Sequence, residues 1–224
     1  LPDTLFAGDT LNFTIKFKPL IVASSLTDAA LFVNNSVVSP FTVSLEGNSL
    51  VKPVTPITIV IYPEADARVS AVNPTTNYGT DNRVYVFGSN TTYLNNESHG
   101  YFRFDLSGIP ADADITNASF KVVASDGYAY NYDPNHYAYF VTNDSWNENT
   151  IIWNTKPVTS SLLGQWFAWN NNSGERTFSF NSASLKSQIV TERSGDNKLS
   201  FAVTNNTGAY YNNYYSKEGA PEIS

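Results

Sequence analysis

Tyr101-Phe102-Arg103-Phe104-Asp105-Leu106, closed by Ser107-Gly108-Ile109-Pro110, sets the class of the whole chain. Apolar and polar residues alternate here with a period of two, the repeat of a strand that buries one face. Phe102 and Phe104 fall on the buried side, and the Gly and Pro behind them mark a turn. Outward from it, residues 57–62 (ITIVIY), 84–88 (VYVFG), 115–125 (ITNASFKVVAS) and 199–204 (LSFAVT) read as further strands. The segment 73–79 (NPTTNYG) reads as an ordered loop punctuated by Pro74 and Gly79. One helix is expected, over 184–193, capped by Asn181 or Ser182 with Leu185, Ile189 and Val190 turned inward. The tyrosine- and asparagine-rich residues 126–136 read as a long loop at one end of the fold, where such folds carry variable function. The expected class is all-β.

Composition narrows the function classes. The chain of 224 residues holds 14 Tyr, 14 Phe, no Cys and no Met. Disulfides and thiolate metal sites are therefore absent. The missing initiator Met leads to the expectation of a processed, secreted end at Leu1. Charged residues make up only 15%, against roughly 25% in an average soluble protein, and Asn, Ser and Thr take their place on the surface. Amides and hydroxyls keep their hydration in acid, so the composition is read as suited to an exposed, acidic exterior. The net charge of −7 argues against nucleic acid as a partner. No stretch reaches the roughly 20 apolar residues of a membrane-spanning helix.

Residues 1–19 read as a separate tail. Leu11, Phe13, Ile15 and Phe17 alternate with Asn12, Thr14, Lys16 and Lys18, giving one apolar and one polar face before Pro19 ends the run. Residues 20–56 supply more short strands (LIVASS, ALFVNNSVV, FTVSLEG), as a subdomain or as additions to the main sandwich over 57–224.

Eight N-x-Ser/Thr sequons begin at Asn12, Asn34, Asn90, Asn96, Asn117, Asn143, Asn171 and Asn205, where composition alone gives about five. Most fall at expected turns or polar strand faces, so N-glycosylation is expected. His99 and His136 stand in no catalytic or zinc motif and read as surface-loop residues. The carboxylate pairs Asp112/Asp114, Asp126/Asp133 and Asp144/Glu148 sit in turn-like sequence, where Asp bonds to its own backbone. No catalytic residue, cofactor or resident metal is therefore expected. Asp66, Asp81, Asp105 and Asp144 are the carboxylates that a structural Ca²⁺ could use.

The segments 66–88, 101–122, 143–157, 198–206 and 214–224 together carry a resemblance. Their order (DARVSAVNPTTNYGTDNRVYVFG, YFRFDLSGIPADADITNASFKV, NDSWNENTIIWNTKP, KLSFAVTNN, YYSKEGAPEIS) resembles the DNRLRE-type modules of cell-surface and secreted proteins. Those are jelly-roll-like sandwiches related to carbohydrate-binding modules, so the resemblance implies an antiparallel, jelly-roll-like β-sandwich here. The resemblance implies a closing strand after Gly219-Ala220-Pro221, of which this chain shows only Glu222, Ile223 and Ser224; an open sheet edge is the expectation. It also implies that Trp146 and Trp153 are core or anchoring residues. Trp166 and Trp169, with Tyr128, Tyr130, Tyr132, Tyr137 and Tyr139, then become the candidates for a sugar-stacking platform, although core packing takes the larger share for Trp166.

Two functions follow. In one, the tail enters a neighbouring subunit's sheet by strand addition, with Leu11, Phe13, Ile15 and Phe17 filling its groove. That contact is heterologous and repeats into a homopolymer. The overall character then resembles the subunits of archaeal thread filaments, extracellular, N-glycosylated fibres joined by donor-strand complementation. In the other, the chain is a carbohydrate-binding or adhesive module whose partner is a polysaccharide.

Overall fold

The computed structural model describes residues 23–32, 41–49, 55–88, 96–128, 135–168, 174–205 and 211–219. The chain divides into two compact units, Leu1–Ile57 and Thr58–Ser224. The tail residues Leu11, Phe13, Ile15 and Phe17 lie outside the described residues.

In the first unit, β1 (Ala23–Phe32) and β2 (Phe41–Ser49) form an antiparallel pair, with Phe32 opposite Phe41 and Thr27 opposite Glu46. Residues 23–25 of LIVASS and 30–32 of ALFVNNSVV, expected as separate strands, belong to one strand with an irregularity between Ala23 and Leu26; the rest of both pieces lies outside the described residues.

The second unit is all-β, an antiparallel, nearly closed sandwich. Its strands are β3 (Pro63–Ser70), β4 (Arg83–Phe87), β5 (Ser98–Asp105), β6 (Ser119–Tyr128), β7 (Asn135–Val141), β8 (Thr159–Phe167), β9 (Arg176–Asn181), β10 (Lys198–Asn205) and β11 (Tyr211–Tyr215). The ladder runs β8-β7-β10-β5-β4-β11-β6-β9, with β3 on β5. β4 and β5 meet at one pair, Phe87 with Ser98, and there the ladder folds over on itself. At the far end β8 and β9 come so close that a Cβ on Gly164 would fall 2.2 Å from the Phe180 ring. The segment 57–62 is not a strand: Ile57, Ile59, Val60 and Tyr62 are exposed and carry no ladder. A short apolar run cannot become a strand without a partner edge, and pairing begins only at Pro63.

Aromatic packing fills the sandwich. Phe201 lies 4.9 Å from Phe120, 5.6 Å from Phe104 and 5.9 Å from Phe102, between rings contributed by both halves of the ladder. The helix α1 (Ala183–Arg193) begins at Ser182, whose Oγ accepts from the Leu185 backbone N–H. Leu185 is buried and Ile189 packs on the core, but Val190 is 39% exposed and does not turn inward.

A second apolar layer covers the outside of β3, β5 and β10. Trp146 and Ile151, from the connection between β7 and β8, pack with Tyr101, Ala65, Ala67, Val69, Val141 and Ala202, and Trp153 leans on them. Polar contacts fix this layer. The Trp146 indole N–H donates to Ser200 Oγ at 3.1 Å, and Tyr101 Oη donates to the Pro157 carbonyl at 2.7 Å. Arg103 donates to the carbonyls of Asp144 and Trp146 while its guanidinium lies over the Trp146 ring. Asn77 Nδ2 donates to the carbonyls of Glu148 and Ile151, each at 2.8 Å. Here a glycine is obligatory: a Cβ on Gly79 would stand 1.9 Å from the Glu148 carbonyl oxygen. Gly79→Ala is expected to destabilise the module by about 3 kcal/mol through forced displacement of backbone, read as a lower midpoint in urea.

Candidate functional site

Strand alternation builds an aromatic, arginine-bearing surface on the module. In β4, Val84 and Val86 are buried, and in β11, Asn212 and Tyr214 are. The alternate residues Arg83, Tyr85, Tyr211, Asn213 and Tyr215 therefore share the outward face, each half-buried. The register sets Tyr215 opposite Arg83, Asn213 opposite Tyr85, and Tyr211 opposite Phe87. Tyr85 stacks along its strand on Phe87 at 5.9 Å and 9°, and meets Tyr211 across the ladder at 5.1 Å.

Two guanidinium groups are set against these rings. Arg83 lies 4.1 Å from the centroid of Tyr215, donates Nε to Ser125 Oγ at 2.7 Å, and donates Nη1 to the Asn82 carbonyl. Arg68, from β3, lies 3.8 Å from the centroid of Tyr78 and 5.8 Å from that of Tyr85, and pairs with Asp81 at 3.3 Å. The Tyr215 hydroxyl donates to Glu175. Flat rings offer C–H stacking to a pyranose, and planar guanidinium and amide groups bond in pairs to hydroxyls or carboxylates. Because neighbours hold the rings and guanidiniums in place, a ligand would lose little to side-chain ordering.

None of these five outward residues was singled out by sequence reading. Their signal is short: Arg83-x-Tyr85 and Tyr211-x-Asn213-x-Tyr215, each in period two. The platform candidates fare differently. Trp166 is 6% exposed and lies in the core, stacked on Phe180 at 5.7 Å and 5° with its N–H donating to Tyr214 Oη. It is a packing residue: the irregularity of β8 between Leu162 and Gly164 lets Leu163 and Trp166 both face inward. Tyr128 ends β6, its backbone opposite Tyr211. Trp169, Tyr130 and Tyr132 lie outside the described residues. Tyr137 and Tyr139 are half-buried on β7.

The histidines are not surface-loop residues. His136 is fully buried in β7, its Nδ1 2.7 Å from Tyr214 Oη, and burial pushes its pKa down to about 3. His99 sits in β5 against Trp153, and burial lowers it to about 4.

The structure divides the carboxylates into two groups. Asp66, Glu148 and Glu218 offer oxygens within 4.8 Å of one another, as do Asp144, Glu192 and Asp196. Asp144 and Glu148 thus belong to different groups. In the first group, the Lys217 ammonium bonds Glu148 at 3.0 Å and Glu218 at 2.7 Å, while Asp66 accepts from the Lys217 backbone N–H. Burial raises Asp66 to about 7. Asp144 and Asp196 line a surface depression of about 460 Å³ with Thr142, Asn143, Ser145 and Lys198. Burial, then carboxylate repulsion, raises Asp144 and Glu192. Asp81 is engaged by Arg68, and Asp105 accepts from the Ser107 backbone N–H. Asp112 and Asp114 are exposed; Asp126 lies in β6 and Asp133 outside the described residues.

Among the sequons, Asn117 and Asn143 are exposed and Asn96 is half-buried. Asn143 Oδ1 accepts from the Ser145 backbone N–H and hydroxyl. Asn205 is 4% exposed at the end of β10, so its amide has little room for a sugar. Asn12, Asn34, Asn90 and Asn171 lie outside the described residues. No helix among the described residues is long and apolar enough to cross a membrane.

The curated proteins give no match to the chain. A family model does: residues 57–223 match carbohydrate-binding module family 96, a span that takes in the sandwich, the Trp146 layer and the Arg/Tyr face. Over that span the chain belongs to carbohydrate-binding module family 96.

Proposed function

We propose that the sandwich is a polysaccharide-binding module that holds a glycan on the outward face of β4 and β11. The observation that supports this reading most is the pair of arginine–tyrosine stacks, Arg83 with Tyr215 and Arg68 with Tyr78 and Tyr85. Tyr85 and Tyr211 supply the stacking surface, and Asn213 an amide between them. In a chain of net charge −7, an arginine-bearing aromatic face selects its ligand by charge. A carboxylated polysaccharide, bonded in pairs by guanidinium groups, suits it better than a neutral one. The role is binding, and the working place is the cell exterior, where such polymers occur.

Affinity electrophoresis through gels containing polygalacturonate tests the reading. Tyr85→Ala and Arg83→Ala should each weaken retardation about ten-fold or more, since stacked and charge-paired anchors each carry roughly 1–3 kcal/mol. Retardation unchanged in both variants would refute the assignment of the face.

A second reading concerns the part outside the family match. The strict alternation of Leu11, Phe13, Ile15 and Phe17 suits a strand added to a neighbouring subunit's sheet, giving a secreted, N-glycosylated homopolymer. Negative-stain electron microscopy of secreted material would show thin fibres with a regular axial repeat if this holds. Isolated particles would end it.

A further inference from the structure

The other half of the ladder has an outward surface of different chemistry. β7 and β8 pair so that Asn135 lies opposite Phe167, Tyr137 opposite Gln165, and Tyr139 opposite Leu162. Between them His136, Ala138 and Phe140 turn into the core, so these three rungs face outward. The rings of Tyr137 and Tyr139 stand 6.2 Å apart at 25°, close to parallel. Phe167 is 46% exposed and Leu162 42%. Gln165 is exposed and Asn135 half-buried beside the rings.

Charge separates this strip from the Arg/Tyr face. Neither β7 (NHYAYFV) nor β8 (TSSLLGQWF) contains an Asp, Glu, Lys or Arg. The single histidine of the pair is buried and held neutral by that burial. What remains is a ladder of aromatic rings with an amide on the facing strand, two tyrosine hydroxyls and, among the described residues of the two strands, no ionic group. A neutral sugar chain has the same alternation of C–H faces and hydroxyls, and it complements a surface that offers no charge to pair. Carboxylated chains would leave their charges unpaired here and lose solvation.

We infer that the outward face of β7 and β8 is a second glycan platform, selective for neutral polysaccharide, and that the module is bivalent. Tyr137 and Tyr139 stack on the sugar, and Gln165 and Asn135 bond to its hydroxyls. The inference rests on the glycan-binding reading of the module. It adds a second polymer class and the capacity to link two chains.

The test uses the whole chain in two gels, one with hydroxyethylcellulose and one with polygalacturonate, comparing wild type with Tyr137→Ala/Tyr139→Ala and Tyr85→Ala. The double variant should lose at least ten-fold in affinity for hydroxyethylcellulose and keep its affinity for polygalacturonate, which also shows that it is folded. Tyr85→Ala should do the reverse. Undiminished retardation of the double variant by hydroxyethylcellulose would overturn the second platform and leave the first standing. Absence of binding to either polymer in wild type would sink both. Sedimentation covers the competing occupant: a dimer that the double variant dissociates would show the strip to be an interface between copies, and would overturn the inference.

Discussion

Trp166→Ala should cost about 3–5 kcal/mol and lower the unfolding midpoint sharply, whatever its effect on sugar binding. Trp166 is buried between Phe180, Phe120, His136 and Tyr214, each ring centroid within 6.2 Å of its own. Removing the indole leaves a cavity between the two halves of the ladder and takes the Nε1 donor from Tyr214 Oη. A loss of that size is a large share of the stability of any single domain. Urea denaturation followed by tyrosine fluorescence measures it. A sugar-stacking role would instead give a stable variant with lost affinity, so a midpoint unchanged from wild type would refute the core assignment.

Acid should destabilise the module strongly. His136 and His99 have folded pKa values near 3 and 4, against about 6.5 unfolded. Both are depressed because burial disfavours their charged forms. Their stabilising contribution is complete above about pH 6.5 and is lost as pH falls, at about 1.4 kcal/mol per unit for each histidine. Asp66 acts in the opposite direction: its folded value, near 7, lies above the unfolded one, so its contribution is complete below about 4 and lost as pH rises to 7. Two histidines outweigh one aspartate. Between pH 6.5 and 4 the three groups together should remove about 1.4 kcal/mol per unit, a total of about 3 kcal/mol. Unfolding free energies measured in urea at half-unit steps check this; a flat profile, or stability rising toward acid, would contradict it. On this account the uncharged surface would not make the module acid-proof, because the sensitive groups are inside.

Much of this was legible in the chain. The Phe102/Phe104 alternation, a helix cap at Asn181 or Ser182 and the anchoring role of Trp146 and Trp153 follow from period, capping chemistry and family resemblance; the structure has them, with Ser182 as the cap. What was hidden depends on burial from both sides and on pairing partners. β10 is covered by the core on one face and, at Ser200 and Ala202, by the Trp146 layer on the other, so Ser200 is buried without any alternation to announce it. The same double coverage hides His99 in β5. Period two does not carry the burial of Trp166, because β8 is irregular between Leu162 and Gly164, which shifts the phase of its inward residues. The Arg83, Tyr85 and Asn213 face was hidden for another reason: β4 and β11 are five residues each, too short for period two to stand out, and they lie far apart in sequence.

The central claim, a glycan held on the outward face of β4 and β11, is tested most directly by amide chemical shifts of labelled protein titrated with oligogalacturonate. Saturable shifts centred on Arg83, Tyr85, Asn213 and Tyr215 are the expected result. Shifts confined to other parts of the sandwich, or none at ligand concentrations in the millimolar range, would contradict it.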